Sequence, residues 1–169
     1  GIKWDFRLPR VMSINASGHK YGLAPLGVGW VIWRDKEDLP EDLIFWVNYL
    51  GGNMATFALN FSRPGGQIVA QYYLLSRLGR QGYAEIMSNL YKSAAAINQG
   101  IKDLNDFETF FGGDSKKGIP AVSWTLKADV KNYSLYDLSD RLRMRGWQVS
   151  AYSMLPDIQE TVVMRVVLR

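Results

Sequence analysis

The rhythm of apolar and polar positions changes several times along the chain. Residues 11–16, "VMSINA", alternate, and residues 27–34, "GVGWVIWR", are apolar on both faces. These patterns predict two strands joined by the loop "SGHKYGLAPLG" at 17–27, a hairpin-like unit with its loop at a sheet edge. The two-sided apolar run suits a buried sheet. Residues 39–50, "LPEDLIFWVNYL", predict a short helix, with Pro40 at an early position and Gly51-Gly52 ending it. Residues 54–67, "MATFALNFSRPGGQ", have no clear period and predict a loop. A helix follows over 67–79, closed by Gly79. Beyond it Ile86, Leu90, Ala94, Ile97, Ile101 and Leu104 recur at spacings of three and four, the stripe of a long packing helix.

The last third has another pattern. "IPAVSWTLKA" at 119–128 alternates as a strand, and "YSLYDLSDRLRMRG" at 133–146 predicts a helix. Ser134 and Asp137 stand in capping-box spacing, with Leu135, Leu138 and Leu142 on the inward side. "WQVSAY" and "TVVMRVVLR" predict two more strands. Strand, helix, strand, strand makes a compact α+β unit. The expected boundary lies near residue 90, giving regions 1–90 and 91–169. The chain begins at Gly1 and stops within an apolar run, so the expectation is a piece of a longer protein.

With 47% hydrophobic and 13% aromatic residues the chain is globular rather than disordered. The apolar segment 28–33 is too short to span a bilayer, and no membrane partner is expected. A net charge of +4 is spread out, with acids beside "RLRMR" at 141–145 and "KK" at 116–117, so no nucleic-acid partner is expected. The absence of cysteine excludes disulfides and thiolate metal sites, and fits a reducing compartment such as the cytoplasm. A single histidine excludes multi-histidine zinc sites, and no metal is expected.

Candidate chemistry centres on Lys20, which follows that histidine, His19, and precedes the apolar run. A lysine near low-dielectric surroundings can act as an amine nucleophile toward a carbonyl, the aldehyde of pyridoxal phosphate (PLP) being the obvious one. The residues alone leave two readings of Lys20, a cofactor anchor and a surface cation. Read from the residues alone, Arg165 in "VVMRVV" is a salt-bridged strand residue, and "NFSRPGG" is a plain surface turn or a functional loop.

The wording "SINASGHKYGLAPLGVGWVIWRD", "YLGGNMATFALNFSRPGGQ" and "LGRQGY" resembles the glutamate decarboxylases of the PLP-dependent group II decarboxylase family. The likeness continues through "IPAVSWTLK", "YSLYDLSDRLRMRGWQV" and "VVMRVV". It implies an α/β chain of the PLP-dependent aminotransferase-like class (fold type I), with 1–90 the C-terminal part of the large PLP-binding domain. Residues 91–169 would then be an incomplete small C-terminal α+β domain. It implies decarboxylation of L-glutamate to 4-aminobutyrate and CO2 in the complete enzyme, with Lys20 holding PLP as a Schiff base. His19 and Ser17 match residues near the cofactor phosphate. Phe61 and Ser62 match residues lent to the neighbouring subunit's site in a homodimer or higher homo-oligomer, and Arg165 matches the α-carboxylate binder. The family's pyridine-nitrogen aspartate, ring-stacking residue and distal-carboxylate binders would lie upstream of Gly1. Two alternatives stand beside this. One is another group II enzyme, sphingosine-phosphate lyase-like, against which "SGHK", "ALNFSRPGGQ" and "GVGWVIWRD" speak. The other is a non-catalytic truncated product.

Overall fold

The computed structural model of the chain describes residues 2–49, 51–59 and 62–169. They fall into two compact units, residues 3–80 and residues 81–169 with Ile2.

In the first unit, β1 (Ser13–Ser17) and β2 (Gly29–Trp33) form an antiparallel hairpin, with Ser13 opposite Trp33 and Ser17 opposite Gly29. The expected hairpin is present, but burial on both faces of 27–34 is not. Trp30 and Ile32 are exposed, and no third strand pairs with this hairpin among the described residues. Arg34 ties the end of β2 to the segment before β1. Its Nε donates to the Val11 carbonyl at 2.9 Å and an Nη to that of Phe6 at 3.0 Å, with the guanidinium 5.3 Å from the Phe6 ring centre.

The helix expected over 39–50 is a correction. Only one 3₁₀ turn forms there, Glu41–Leu43, after Pro40. β3 (Phe45–Tyr49) and β4 (Gly52–Thr56) follow as a second antiparallel hairpin, Phe45 opposite Thr56. Aromatic and β-branched residues at 45–47 favour a pleated strand over a helix. Gly51, at φ +82°, serves the hairpin turn instead of closing a helix.

Helix α1 (Gly66–Asp103) carries a break at Gly79, whose φ of +57° and ψ of −169° are open to glycine almost alone. The two expected helices are thus continuous in span but separated at the residue named as their boundary.

The second unit holds a four-stranded antiparallel sheet in the order β5-β6-β8-β7, from β5 (Phe107–Gly112), β6 (Ala121–Leu126), β7 (Ala151–Ser153) and β8 (Val162–Val167). Ala94 on α1, Phe107, Val122, Trp124, Met164 and Leu135 of α2 (Leu135–Arg143) make its buried core. Ile97, Ile101, Leu138 and Leu142 pack around that core as their spacing predicts. Leu104 departs from the stripe: it lies past the end of α1 and is exposed. Strand β5 was not expected.

Candidate functional site

The link between β1 and β2 presents Lys20 through two successive tight turns. The Lys20 amide donates to the Ser17 carbonyl at 3.1 Å, and the Leu23 amide to the Lys20 carbonyl at 3.1 Å. Ala24 N donates back to Gly18 O, also at 3.1 Å, closing the loop on itself. Gly18 N donates to the Val28 carbonyl at 3.0 Å, fastening the loop's start to its end. Gly18, Ala24 and Val28 are buried, whereas Lys20 is exposed. A buried base with an exposed cation lets the amine reach a ligand while its backbone stays fixed.

His19 is half-buried, and its Nδ1 lies 3.2 Å from the same Val28 carbonyl. A carbonyl can only accept, so this contact assigns the proton to Nδ1 and leaves Nε2 to accept, or to donate once the ring is protonated. Ser17, half-buried at the end of β1, offers a hydroxyl beside the turn.

Glycine is needed at two places in this loop. A Cβ on Gly18 would overlap the Gln71 side-chain oxygen, and one on Gly22 would lie 2.5 Å from the Gly18 carbonyl and 2.7 Å from that same oxygen. Gln71 itself reaches in from α1, its Nε2 donating to the Gly22 carbonyl at 2.9 Å. The sequence reading passed over Gln71. The available signal was a glutamine set among the apolar residues of "QIVAQYYLL".

Ser62 is exposed in the segment between β4 and α1 and has a left-handed φ of +48°. It lines an open cavity of about 930 Å³ together with Arg63, Gly27, Val28, Gly29, Val47 and Met54. Ser17 lines a second open cavity, of about 820 Å³, with Gly29, Thr56 and Arg63. Lys20 and His19 line neither cavity. Phe61 lies outside the described residues. Ser17, His19 and Lys20 are therefore brought together on one loop, and Ser62 borders a cavity walled by the end of that loop.

Arg165 belongs to the second unit, on β8 opposite Ser123 of β6. Its neighbour Met164 faces the core, and Arg165 is exposed on the opposite face of the sheet. It forms no ion pair with any described residue.

An amine at an exposed tip, with a hydroxyl and an imidazole beside it, fits a ligand that pairs a reactive carbonyl with a phosphate. The close-packed glycines keep the loop backbone free of side chains that would displace the lysine. Among the described residues no cluster of acids or histidines suits a metal, and no helix is long and apolar enough to cross a membrane.

Known proteins resemble this chain over nearly its whole length. Residues 2–127 match the pyridoxal-dependent decarboxylase conserved domain. A glutamate decarboxylase of Aliivibrio fischeri is 61% identical over 99% of this chain and 36% of its own length. The solved structure of a Lactobacillus brevis glutamate decarboxylase superposes with a TM-score of 0.88 at 46% identity, over 98% of this chain and 37% of that one. A Burkholderia pseudomallei sphingosine-1-phosphate lyase reaches a TM-score of 0.72 at 28% identity, over 97% of this chain and 34% of that one. The chain spans about a third of the length of the relatives it matches. It is α/β, and it shares the fold of these fold type I enzymes. With the domain match covering the Lys20 loop, both hairpins and all of α1, the chain belongs to the pyridoxal-dependent decarboxylase family.

Proposed function

We propose that the protein containing this chain decarboxylates L-glutamate to 4-aminobutyrate and CO2, with Lys20 as the covalent anchor of PLP. The observation that carries this is the Lys20 turn, an exposed amine on a buried, hydrogen-bonded base, in a chain 61% identical to a glutamate decarboxylase. When bound, PLP supplies a ring that accepts the electron pair left as the α-carboxylate departs. The net change at Cα is loss of CO2 and gain of one proton.

The chain's own residues supply positioning and charge. Lys20 Nζ is the atom that engages the cofactor's carbonyl, and its backbone is held by the Ser17 and Leu23 contacts. Ser17 Oγ and His19 Nε2 are assigned to the cofactor phosphate, a role supported by the Val28 contact that fixes the His19 ring. Phe61 and Ser62 are assigned to the site of a neighbouring subunit in a homodimer or larger homo-oligomer. Arg165, with no acid partner among the described residues, is assigned to the substrate's α-carboxylate, for which a planar guanidinium offers a two-pronged fit. On this reading residues 1–90 are the end of the large PLP-binding domain, residues 91–169 are part of the small one, and the protein works in the cytoplasm. Glutamate is preferred over a long-chain phosphoamine because identity is 46–61% to the glutamate enzymes and 28% to the lyase.

The test is borohydride reduction of the full-length protein with PLP, peptide mass mapping and an assay of CO2 release from glutamate. The expected result is a phosphopyridoxyl adduct on the Lys20 peptide, glutamate turnover, and loss of both in Lys20→Ala. A folded protein unmodified at Lys20, or one that cleaves a long-chain phosphoamine and leaves glutamate untouched, overturns the proposal.

A further inference from the structure

Gln71 is one of two buried polar side chains among the described residues, only 5% exposed. Its amide is wedged between Gly18 and Gly22, the two glycines that bracket Lys20. Nε2 donates to the Gly22 carbonyl at 2.9 Å, while Oε1 is buried with no hydrogen-bond partner and occupies the space a side chain at Gly18 would need. A buried acceptor without a partner is unfavourable, and an apolar residue would fill the same volume without that cost. What glutamine adds is a directed bond from a helix to the carbonyl two residues after Lys20.

We propose that Gln71 is a positioning residue for Lys20, transmitting the fixed position of α1 to the turn that carries the amine. This rests on the reading that Lys20 anchors PLP. Loss of the amide leaves the turn formed, held by the Ser17, Leu23 and Gly18 contacts, but removes the Gln71 bond that ties the Gly22 carbonyl to α1. Lys20 then reaches the cofactor in a spread of geometries. Binding of glutamate elsewhere in the site is little affected, and the chemical steps slow.

The test uses the full-length protein with Gln71→Met, which keeps length and volume and removes the amide. In the cofactor-free protein, amide hydrogen exchange over residues 18–24 is expected to quicken by about tenfold, the factor for one lost hydrogen bond, with β6 unchanged. In the loaded protein, kcat is expected to fall by about tenfold while KM for glutamate stays within about twofold. Gly18→Ala provides the second readout, because its new Cβ meets Gln71 Oε1. Borohydride labelling of Lys20 is expected to drop in Gly18→Ala and to recover in Gly18→Ala with Gln71→Ala. Unchanged exchange over 18–24, or purely additive effects of Gly18→Ala and Gln71→Ala, overturns the inference. Absence of any Lys20 adduct in the wild type overturns the functional reading instead, and the exchange result still decides what Gln71 does to the turn.

Discussion

Two arginines show how differently one residue type is used. Arg34 is consumed by the fold, with its guanidinium on the Val11 and Phe6 carbonyls and over the Phe6 ring. Arg165 has no acid partner among the described residues and stands exposed on the face of β8 away from the core. A surface cation without an ion pair adds little to stability, so removing it should leave the fold alone. Under the proposed function, Arg165→Met is expected to keep the melting midpoint and the PLP content of the full-length enzyme. It should lower kcat/KM for glutamate by roughly 30- to 150-fold, the equivalent of about 2–3 kcal/mol for a charge-assisted contact. Unchanged kcat/KM would move the α-carboxylate to another residue. At this scale the grouping of Lys20, His19 and Ser17 was legible, because they are neighbours in the chain and the loop keeps them so. Gln71 was hidden: its meaning comes from a contact with Gly22, 49 residues away.

Among the elements, the start of α2 was readable because its signals are local, although the helix ends at Arg143, short of the expected 146. Ser134 Oγ accepts from the Asp137 amide at 3.2 Å, and Asp137 Oδ2 accepts from the Ser134 amide at 2.8 Å, the reciprocal bonds that the spacing predicts. The Ser134 hydroxyl, and then its backbone N–H, hold the Asp137 carboxyl below its ordinary value of 3.8. A depressed folded-state value means the cap's charge-dependent part is present above 3.8 and is lost as pH falls through the depressed value. Ser134→Ala is therefore expected to cost about 1 kcal/mol in urea unfolding at neutral pH. The gap between variant and wild type should narrow in acid below 3.8, and an equal gap at both pH values would show that the Asp137 charge plays no part. The segment 39–50 failed for the opposite reason. Its apolar run satisfies a helix and a strand alike, and pairing with 52–56 decides the outcome, a partner that no local signal names. β5, "FETFFG", escaped because its alternation is short and a register shift between Thr109 and Phe111 interrupts it.

Across the whole molecule, apolar burial is divided unequally. Residues 81–169 enclose a core in which Val122 and Met164 are inaccessible and Trp124 is nearly so. The only buried hydrophobic side chains of residues 3–80, among those described, are Ala24 and Val28. That unit instead leaves Trp46 71%, Tyr72 73% and Leu59 86% exposed. Surface of this kind is expected where a segment belongs to a larger sheet-and-helix layer, and the relatives are about three times as long as this chain. Core burial, not helix or strand content, sets whether a piece folds cooperatively. Expressed alone, residues 81–169 are therefore expected to melt in one cooperative transition seen equally by circular dichroism and by tryptophan fluorescence. Residues 3–80 alone are expected to bind a hydrophobic dye strongly, to self-associate, and to melt without a sharp midpoint. Two chain segments with matching cooperative melts would mean that the small cluster around Gly18, Val28 and Gln71 organises its unit without help. A cooperative melt lost from 81–169 would mean instead that its core does not stabilise that unit by itself.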